Sequence, residues 1–289
     1  MDKIYKALIF DKKARITFID GTCAVNQAIK MHKLSPTAAA ALGRALIAGA
    51  YIATNLKGKR SSFTLIIKGG GPIGNIVVAG GSGNKIRGFV ANPYVDMPLK
   101  DNGKLDVGGA VGKNGFLTVI KDYGLKKPYN GSCELVSGEI AEDFAMYLLK
   151  SEGIKSAVSL GVKLDKNGAA AAGGLIVEAL PGIDENMLVI LEDVMRNFTE
   201  ISNLMTQKSA EQILDYYFGH LNYQKLAEEE LVFECNCSKE RIENIIKGLG
   251  KEEAYDIIKE TGKLEIDCQF CSQKYVYTKE EVDKIWEMS

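Results

Sequence analysis

Four of the six cysteines of the chain occur in two close pairs near its C-terminus. Cys235 and Cys237 have C-x-C spacing, and Cys268 and Cys271 have C-x-x-C spacing. Thirty residues lie between the two pairs, which is enough for two small helices. Thiols grouped in this way suggest three kinds of chemistry: a metal site, two disulfides, or a metal site that oxidation converts into disulfides.

The N-terminal stretch of the chain bears on this choice, because it carries charges throughout and has no apolar signal segment. We therefore expect a cytoplasmic, reducing location, where permanent disulfides are rare. Four thiolates at about 2.3 Å from one ion form a closed structural site, and soft sulfur ligands favour zinc, although iron also fits them. The expected cofactor is one zinc ion per chain, bound by Cys235, Cys237, Cys268 and Cys271.

Zinc binding and disulfide formation exclude each other at such a site. Sulfurs at the corners of a zinc tetrahedron are ~3.8 Å apart, whereas a disulfide needs about 2.05 Å. A structural zinc contributes about 10–16 kcal/mol to the folding of a small module, so its loss should unfold residues 231–289. Whether the chain uses this exclusion as a switch does not follow from four cysteines, because many such sites are only structural.

The residues before position 180 combine helices and strands without strict alternation. Ser35-Pro36 predicts the start of an alanine- and glycine-rich helix through 38–53, and short β-like runs occur between residues 61 and 123. Ser137 is a candidate N-cap for a helix that Gly153 ends. This mixture predicts an α+β core domain over 1–180.

Two smaller regions follow the core in the predicted organisation. Residues 181–230 are too acidic and too short for a core of their own; their pattern is helical from Asp184 to Tyr217, with a capping-box spacing at Ser209 and Gln212. We expect them to form a helical linker that lies on another part of the protein. Residues 231–289 predict short helices and strands around the cysteines, a module small enough to need a zinc-binding staple.

Charge is distributed unevenly along the chain. Residues 1–179 hold 24 Lys and Arg against 14 Asp and Glu, residues 180–230 hold 3 against 10, and residues 231–289 hold 9 against 13. The acidic second half could therefore dock on the basic first part, in which case the docking should weaken with salt. Solvated charged faces are the alternative.

Other signals in the sequence have simpler explanations. The glycines in GGGPIG (69–74) resemble a dinucleotide-binding motif, but a strand-like run follows them where that motif needs a helix. The carboxylates of Glu139, Glu142 and Asp143 are expected in the first turns of a helix, where acids are favourable. Cys23 and Cys133 are isolated, and core packing is their expected role. We find no catalytic residue set and expect no enzyme activity.

The chain resembles the redox-regulated 33 kDa heat-shock chaperone family over nearly its whole length. The sequence blocks that carry the resemblance are HKLSPTAAAALGRAL (32–46), GGGPIG (69–74), GFVANP (88–93), VSGEIAEDFAMYLLKSE (136–152) and the terminal C-x-C and C-x-x-C pairs. The family has a similar layout, with an α+β core, a helical linker and a C-terminal zinc module.

The resemblance implies an ATP-independent holdase that binds unfolding proteins. In the reduced state zinc would sit on the four paired cysteines of a latent monomer. Under oxidative and heat stress, Cys235–Cys237 and Cys268–Cys271 disulfides would form with zinc release, and the linker would loosen. The core would then dimerise and bind clients, with no membrane or specific nucleic acid as a partner.

A second hypothesis keeps the zinc site but not the switch. A metal-stabilised adaptor for nucleic acid or protein would have the same cysteine spacing. A nucleic-acid-binding zinc module should be basic, and this one has more acidic than basic residues. Only the chaperone hypothesis predicts that peroxide with mild heat releases zinc and starts the suppression of client aggregation.

Overall fold

The structure is a computed structural model, and residues 1–287 of it are described. The chain forms two compact units, with the division between Glu234 and Cys235. The first unit combines helices with two sheets, and the described part of the second combines three helices with one hairpin. The α+β class predicted from the sequence is confirmed.

The elements follow one another through both units in an irregular order of strands and helices. They are β1 (Lys3–Ile9), β2 (Ala14–Asp20), α1 (Thr22–His32), α2 (Pro36–Thr54), β3 (Ser62–Lys68), β4 (Asn75–Gly81), β5 (Lys85–Val90), α3 (Val107–Val111), β6 (Phe116–Asp122), β7 (Tyr129–Glu134), α4 (Ala141–Glu152), β8 (Ser156–Asp165), β9 (Gly168–Ala179), α5 (Glu185–Arg196), α6 (Ile201–Met205), α7 (Ala210–Phe218), β10 (Gln224–Glu230), β11 (Val232–Phe233), α8 (Lys239–Leu249), α9 (Lys251–Thr261), β12 (Leu264–Asp267), β13 (Lys274–Tyr277) and α10 (Lys279–Glu287).

Two sheets form the framework of the first unit. One has the strand order β10-β1-β2-β9-β8 and the other the order β11-β5-β4-β3-β6-β7. Residues close together in sequence form tight antiparallel pairs, such as β8 with β9, which the DKNG turn (165–168) joins. The last two strands of the first unit each join one of these sheets: β10 pairs with β1, and β11 pairs with β5.

Helix α2 is the centre of the core of the first unit. The Ser35 hydroxyl accepts a hydrogen bond from the Ala38 amide, which confirms the predicted cap and helix start. The helix is long and apolar enough to cross a membrane, but 89% of its apolar window is buried inside the protein. Its small residues let strands approach closely: a Cβ on Gly43 would lie 2.6 Å from a methyl group of Val162.

The glycine motif at 69–74 is a turn between β3 and β4, so a structural role explains it. A Cβ on Gly69 would lie 2.3 Å from the Gly112 carbonyl oxygen, and one on Gly71 would lie 2.3 Å from the Ala110 carbonyl oxygen. The backbone of residues 69–71 therefore lies so close to the backbone of residues 110–112 that a side chain larger than glycine's would clash. Glycine is therefore needed here for close packing.

Helices α5–α7 cover the outer face of the five-stranded sheet. Successive side chains of strand β9 point to opposite faces of the sheet. Ile176 packs in the core around α2, and Leu175 and Val177 pack against the covering helices. Phe198 and Phe218 are fully buried in this second layer, and their rings stack with centroids 5.8 Å apart. The contact is mainly apolar, and an exposed ion pair between Lys104 and Glu200 lies beside it.

Electrostatic contacts of the acidic region 180–230 are found chiefly in β10. Glu228 pairs with Lys3, and Glu229 pairs with Lys6, across the β1–β10 ladder. Residues 224–230 are thus a strand within the region 181–230, for which the sequence predicted a helical linker. The linker as a separable region, and the start of the last module at residue 231, stay predictions; residues 181–234 lie in the first unit.

Two further local predictions were wrong. The helix predicted to be capped by Ser137 begins at Ala141, because the buried Asp143 carboxylate accepts hydrogen bonds from the amides of Val136, Ser137 and Ile140 and folds that stretch into a loop. Cys23 is exposed and does not pack in the core, whereas Cys133 is buried as predicted.

Candidate metal centre

The second unit has a small apolar core beside its cysteines. Among the side chains described in residues 235–286, eight apolar ones are buried in this core: Ile242, Ile246, Ala254, Ile258, Leu264, Tyr277, Val282 and Ile285. Three helices and a two-stranded hairpin supply these residues, as the sequence predicted. A core of this size gives a domain little stability by itself.

Both cysteine pairs lie outside regular secondary structure, at points where an element begins or ends. Cys235 and Cys237 lie on the extended stretch between β11 and α8, and the Ser238 hydroxyl caps α8 at the Arg241 amide. Cys268 directly follows β12, and its carbonyl accepts hydrogen bonds from the amides of Cys271 and Ser272. This tight turn directs the second pair toward the first.

The four sulfurs lie close enough to share one ion. All four Sγ atoms are within 4.8 Å of one another. The Sγ atoms of Cys235 and Cys268 are 3.7 Å apart, and those of Cys237 and Cys271 are 3.3 Å apart. Four ligands around a zinc ion need sulfur separations of ~3.8 Å, so both the spacing and the chemistry of these donors fit a tetrahedral thiolate site.

The environment of the metal-free thiols separates their pKa values. Burial raises the pKa of Cys235 to about 11 and raises that of Cys271 well above its usual range. Partial burial acts in the same direction at Cys237, but hydrogen bonds from Tyr275 and Cys271 outweigh it and lower its pKa to about 7. Of Cys235, Cys237 and Cys271, Cys237 is therefore the thiol that ionises first as a ligand or nucleophile.

Tyr275 is a residue of this site that the sequence did not reveal. Its hydroxyl donates a hydrogen bond to the Cys237 sulfur at 3.3 Å. The interaction joins β13 to the stretch before α8, which are far apart in sequence. The spacing of the cysteines carries no signal for such a contact.

The other candidate residues belong to the first unit, whereas the four clustered cysteines belong to the second. Cys23 and Cys133 are free thiols of that first unit. The Glu139 carboxylate pairs with Arg44 at 2.7 Å and with Lys100, so it fixes a loop to α2. Asp143 caps α4, as described above. Glu139 and Asp143 therefore have structural partners, and Glu142 is exposed on α4.

Comparison with known proteins gives a consistent set of similarities. A sequence model of the family described as Hsp33 protein matches residues 2–278. The 33 kDa chaperonin of Caldanaerobacter subterraneus subsp. tengcongensis is 44% identical over 286 residues, which is 98% of this chain and 97% of that protein. The 33 kDa chaperonin of Clostridium beijerinckii is 42% identical, with 98% of each chain covered.

A solved structure is similar as well. The crystal structure of the 33 kDa chaperonin of Thermotoga maritima, described as a heat shock protein 33 homolog, superposes with a TM-score of 0.90. It is 37% identical, and the superposition covers 99% of this chain and 98% of that chain.

Proposed function

The chain belongs to the Hsp33 family of chaperones, and from this membership we propose that it is a redox-regulated, ATP-independent holdase. The observation that carries the proposal is the position of four cysteine sulfurs within 4.8 Å of one another in a unit with a small apolar core. In the reduced state the four thiolates of Cys235, Cys237, Cys268 and Cys271 hold one zinc ion. The bound ion supplies a structural cross-link and takes no part in catalysis.

Oxidation removes the ligands on which this cross-link depends. The thiolates of Cys235 and Cys237 lose two electrons to a peroxide and form one S–S bond, and the peroxide is reduced to two hydroxide ions. Cys268 and Cys271 react in the same way with a second peroxide. Because a bonded sulfur pair needs about 2.05 Å, the tetrahedral ligand set no longer exists and the zinc ion leaves.

Loss of the cross-link should unfold the second unit. A structural zinc provides about 10–16 kcal/mol in small modules, as much as the whole stability of a typical domain. The eight buried apolar residues of this unit cannot replace that contribution. Oxidation of the four thiolates thereby unfolds the second unit.

The chaperone surface is the apolar face that α5–α7 cover. Beneath these helices lie side chains from three strands, namely Tyr5, Ile9, Ile16, Phe18, Leu175 and Val177. If the region 181–230 works as a linker that loosens on activation, this face and the apolar side of the helices become available together. An apolar surface of that kind suits unfolding clients and dimerisation of the activated protein, whereas the reduced protein is a latent, cytoplasmic monomer.

One experiment measures both halves of the proposal. The reduced, zinc-loaded protein is treated with peroxide at raised temperature, zinc is followed with a chromophoric chelator, and light scattering reports the aggregation of a denaturing client. We expect zinc release and suppression of aggregation to develop together. A Cys268→Ser/Cys271→Ser variant should not gain peroxide-dependent activity, whereas Cys23→Ser/Cys133→Ser, the matched control outside the cluster, should behave like the wild type.

The alternative is a metal-stabilised adaptor without a switch. It predicts the same zinc content in the reduced state. If peroxide releases zinc and the client still aggregates at the unprotected rate, the adaptor remains and the proposed switch is wrong.

A further inference from the structure

Two basic loops meet at one end of the six-stranded sheet. Residues 55–62 contain three cations and no acid, and residues 121–129 contain three lysines and one aspartate. They are neighbours because β3 pairs with β6, where Ser62 lies opposite Asp122 and Phe63 lies opposite Lys121. We call this end of the sheet, formed by residues 55–62 and 121–129, the basic end.

Most cations of the basic end are available for a ligand. Lys121 pairs with Glu152 at 2.7 Å. The other five form no ion pair within residues 1–287, and all five are exposed; they are Lys57, Lys59, Arg60, Lys126 and Lys127. Elsewhere on this unit, lysines such as Lys3 and Lys6 are paired with glutamates. An unneutralised group of this size concentrates positive potential at one place.

Aromatic rings lie among these cations. Tyr123 and Tyr129 are 38% and 41% exposed, and the ammonium of Lys121 is 5.6 Å from the centre of the Tyr129 ring. A cavity of about 370 Å³ opens between α2, β6 and α4 at the same end. Its lining combines rings and cations, including Tyr51, Tyr123, Tyr147, Arg15, Lys57 and Lys121, against the single carboxylate of Glu152.

We propose that the basic end binds single-stranded nucleic acid without sequence preference. Phosphates would contact the five unpaired cations, bases would stack on Tyr123 and Tyr129, and one unstacked base would fit the cavity. Cations interleaved with aromatic rings are how proteins bind single strands, because every base has a π-face. An acidic peptide would use the charge alone and leave the rings and the cavity without a partner.

Fluorescence anisotropy with a labelled oligouridine tests the proposal on the reduced, zinc-loaded full-length chain. Affinity should fall steeply with salt, and Lys126→Glu/Lys127→Glu should weaken binding about tenfold and reduce the salt slope by about 1.4, the value for two phosphate contacts. The matched control is Lys113→Glu/Lys166→Glu, which makes the same change in net charge. Both control lysines are exposed, Lys113 at the opposite end of β6 and Lys166 in the β8–β9 turn. This control variant should bind oligouridine nearly as tightly as the wild type.

Substitution of the exposed ring separates base recognition from charge. Tyr123→Ala should weaken oligouridine binding by about fivefold or more, whereas Tyr123→Phe should retain it. Binding of polyglutamate as tight as that of oligouridine, with no effect of Tyr123→Ala on either, would identify an acidic-polymer surface and overturn the proposal. Equal losses in the two lysine double variants would overturn it as well. None of these results depends on the redox switch.

Discussion

The hydroxyl of Tyr275 donates a hydrogen bond to the Sγ of Cys237 at 3.3 Å. Burial alone would raise the pKa of this thiol, whereas the contact with Tyr275 lowers it. It joins two segments of the cysteine cluster that lie far apart in sequence. Tyr277, two residues further on the same strand, has a buried hydroxyl without a hydrogen-bond partner in the described residues. The two tyrosines therefore form a natural pair of test and control.

Tyr275→Phe should make Cys237 less reactive in metal-free protein whose second unit is kept folded by an osmolyte such as sucrose. Without the donor, the pKa of Cys237 rises from about 7 toward the usual value of ~8.5, so the thiolate fraction at pH 7 falls about tenfold. The measurement is the rate of alkylation against pH, with Cys237 identified by mass spectrometry. Tyr277→Phe should leave that profile unchanged. An unshifted profile in Tyr275→Phe would show that the hydrogen bond does not control the thiol.

Removal of zinc from the reduced protein should unfold the second unit alone. We expect amide exchange at Ile242, Ile246 and Ile258 to lose its protection when a chelator is added, because the apolar core there is small. Amides of the buried helix α2 should stay protected, since the core of the first unit does not include the metal site. Addition of zinc should restore the pattern and addition of magnesium should not. A cooperative fold retained after chelation would remove the proposed trigger.

Phe198→Ala should activate the chaperone without oxidation. The side chain is fully buried between α5–α7 and the five-stranded sheet, and its loss should cost roughly 3–5 kcal/mol of docking stability. Binding of an apolar dye and of a denaturing client should both increase in the reduced, zinc-loaded protein. Tyr216→Ala is the matched control, because this ring lies on α7 but is 68% exposed. Equal behaviour of the two variants would argue against the covered face as the client surface.

Glu139→Gln should lower the stability of the first unit in a pH-dependent way. Burial alone would raise the pKa of Glu139, but hydrogen bonds from Lys100 and Arg44 outweigh it and lower the pKa. A carboxyl with a depressed pKa stabilises the folded state above its unfolded value of ~4.3 and loses that contribution as the pH falls through the folded value.

Urea unfolding measures the effect of Glu139→Gln at two pH values. The variant should be less stable than the wild type by roughly 1–3 kcal/mol at pH 7, and the difference should shrink below pH ~4. Glu142→Gln, an exposed substitution on the adjacent helix, serves as the control and should change little. A difference that stays constant with pH would mean that packing, and not charge, is responsible.

Local signals in the sequence predicted much of this protein. The Ser35 cap of α2 and the capping box at Ser209 and Gln212 are confirmed, because a helix cap depends on residues within a few positions of one another. Helix α1 was missed, since its N-cap residue, Gly21, has no side chain to cap it; the amides of Cys23 and Ala24 donate instead to the carboxylate of Asp2, which lies just before β1.

The sequence by itself determined which residues could bind a metal, because thiol chemistry and the spacing of ligands are properties of short segments. The tertiary structure decided what surrounds them and what covers the sheet. The contact of Tyr275 with Cys237, the return of residues 224–230 as a strand beside β1, and the exposure of Cys23 all join or separate segments far apart in the chain. Such contacts result from the packing of the whole unit, and no local pattern specifies the partner.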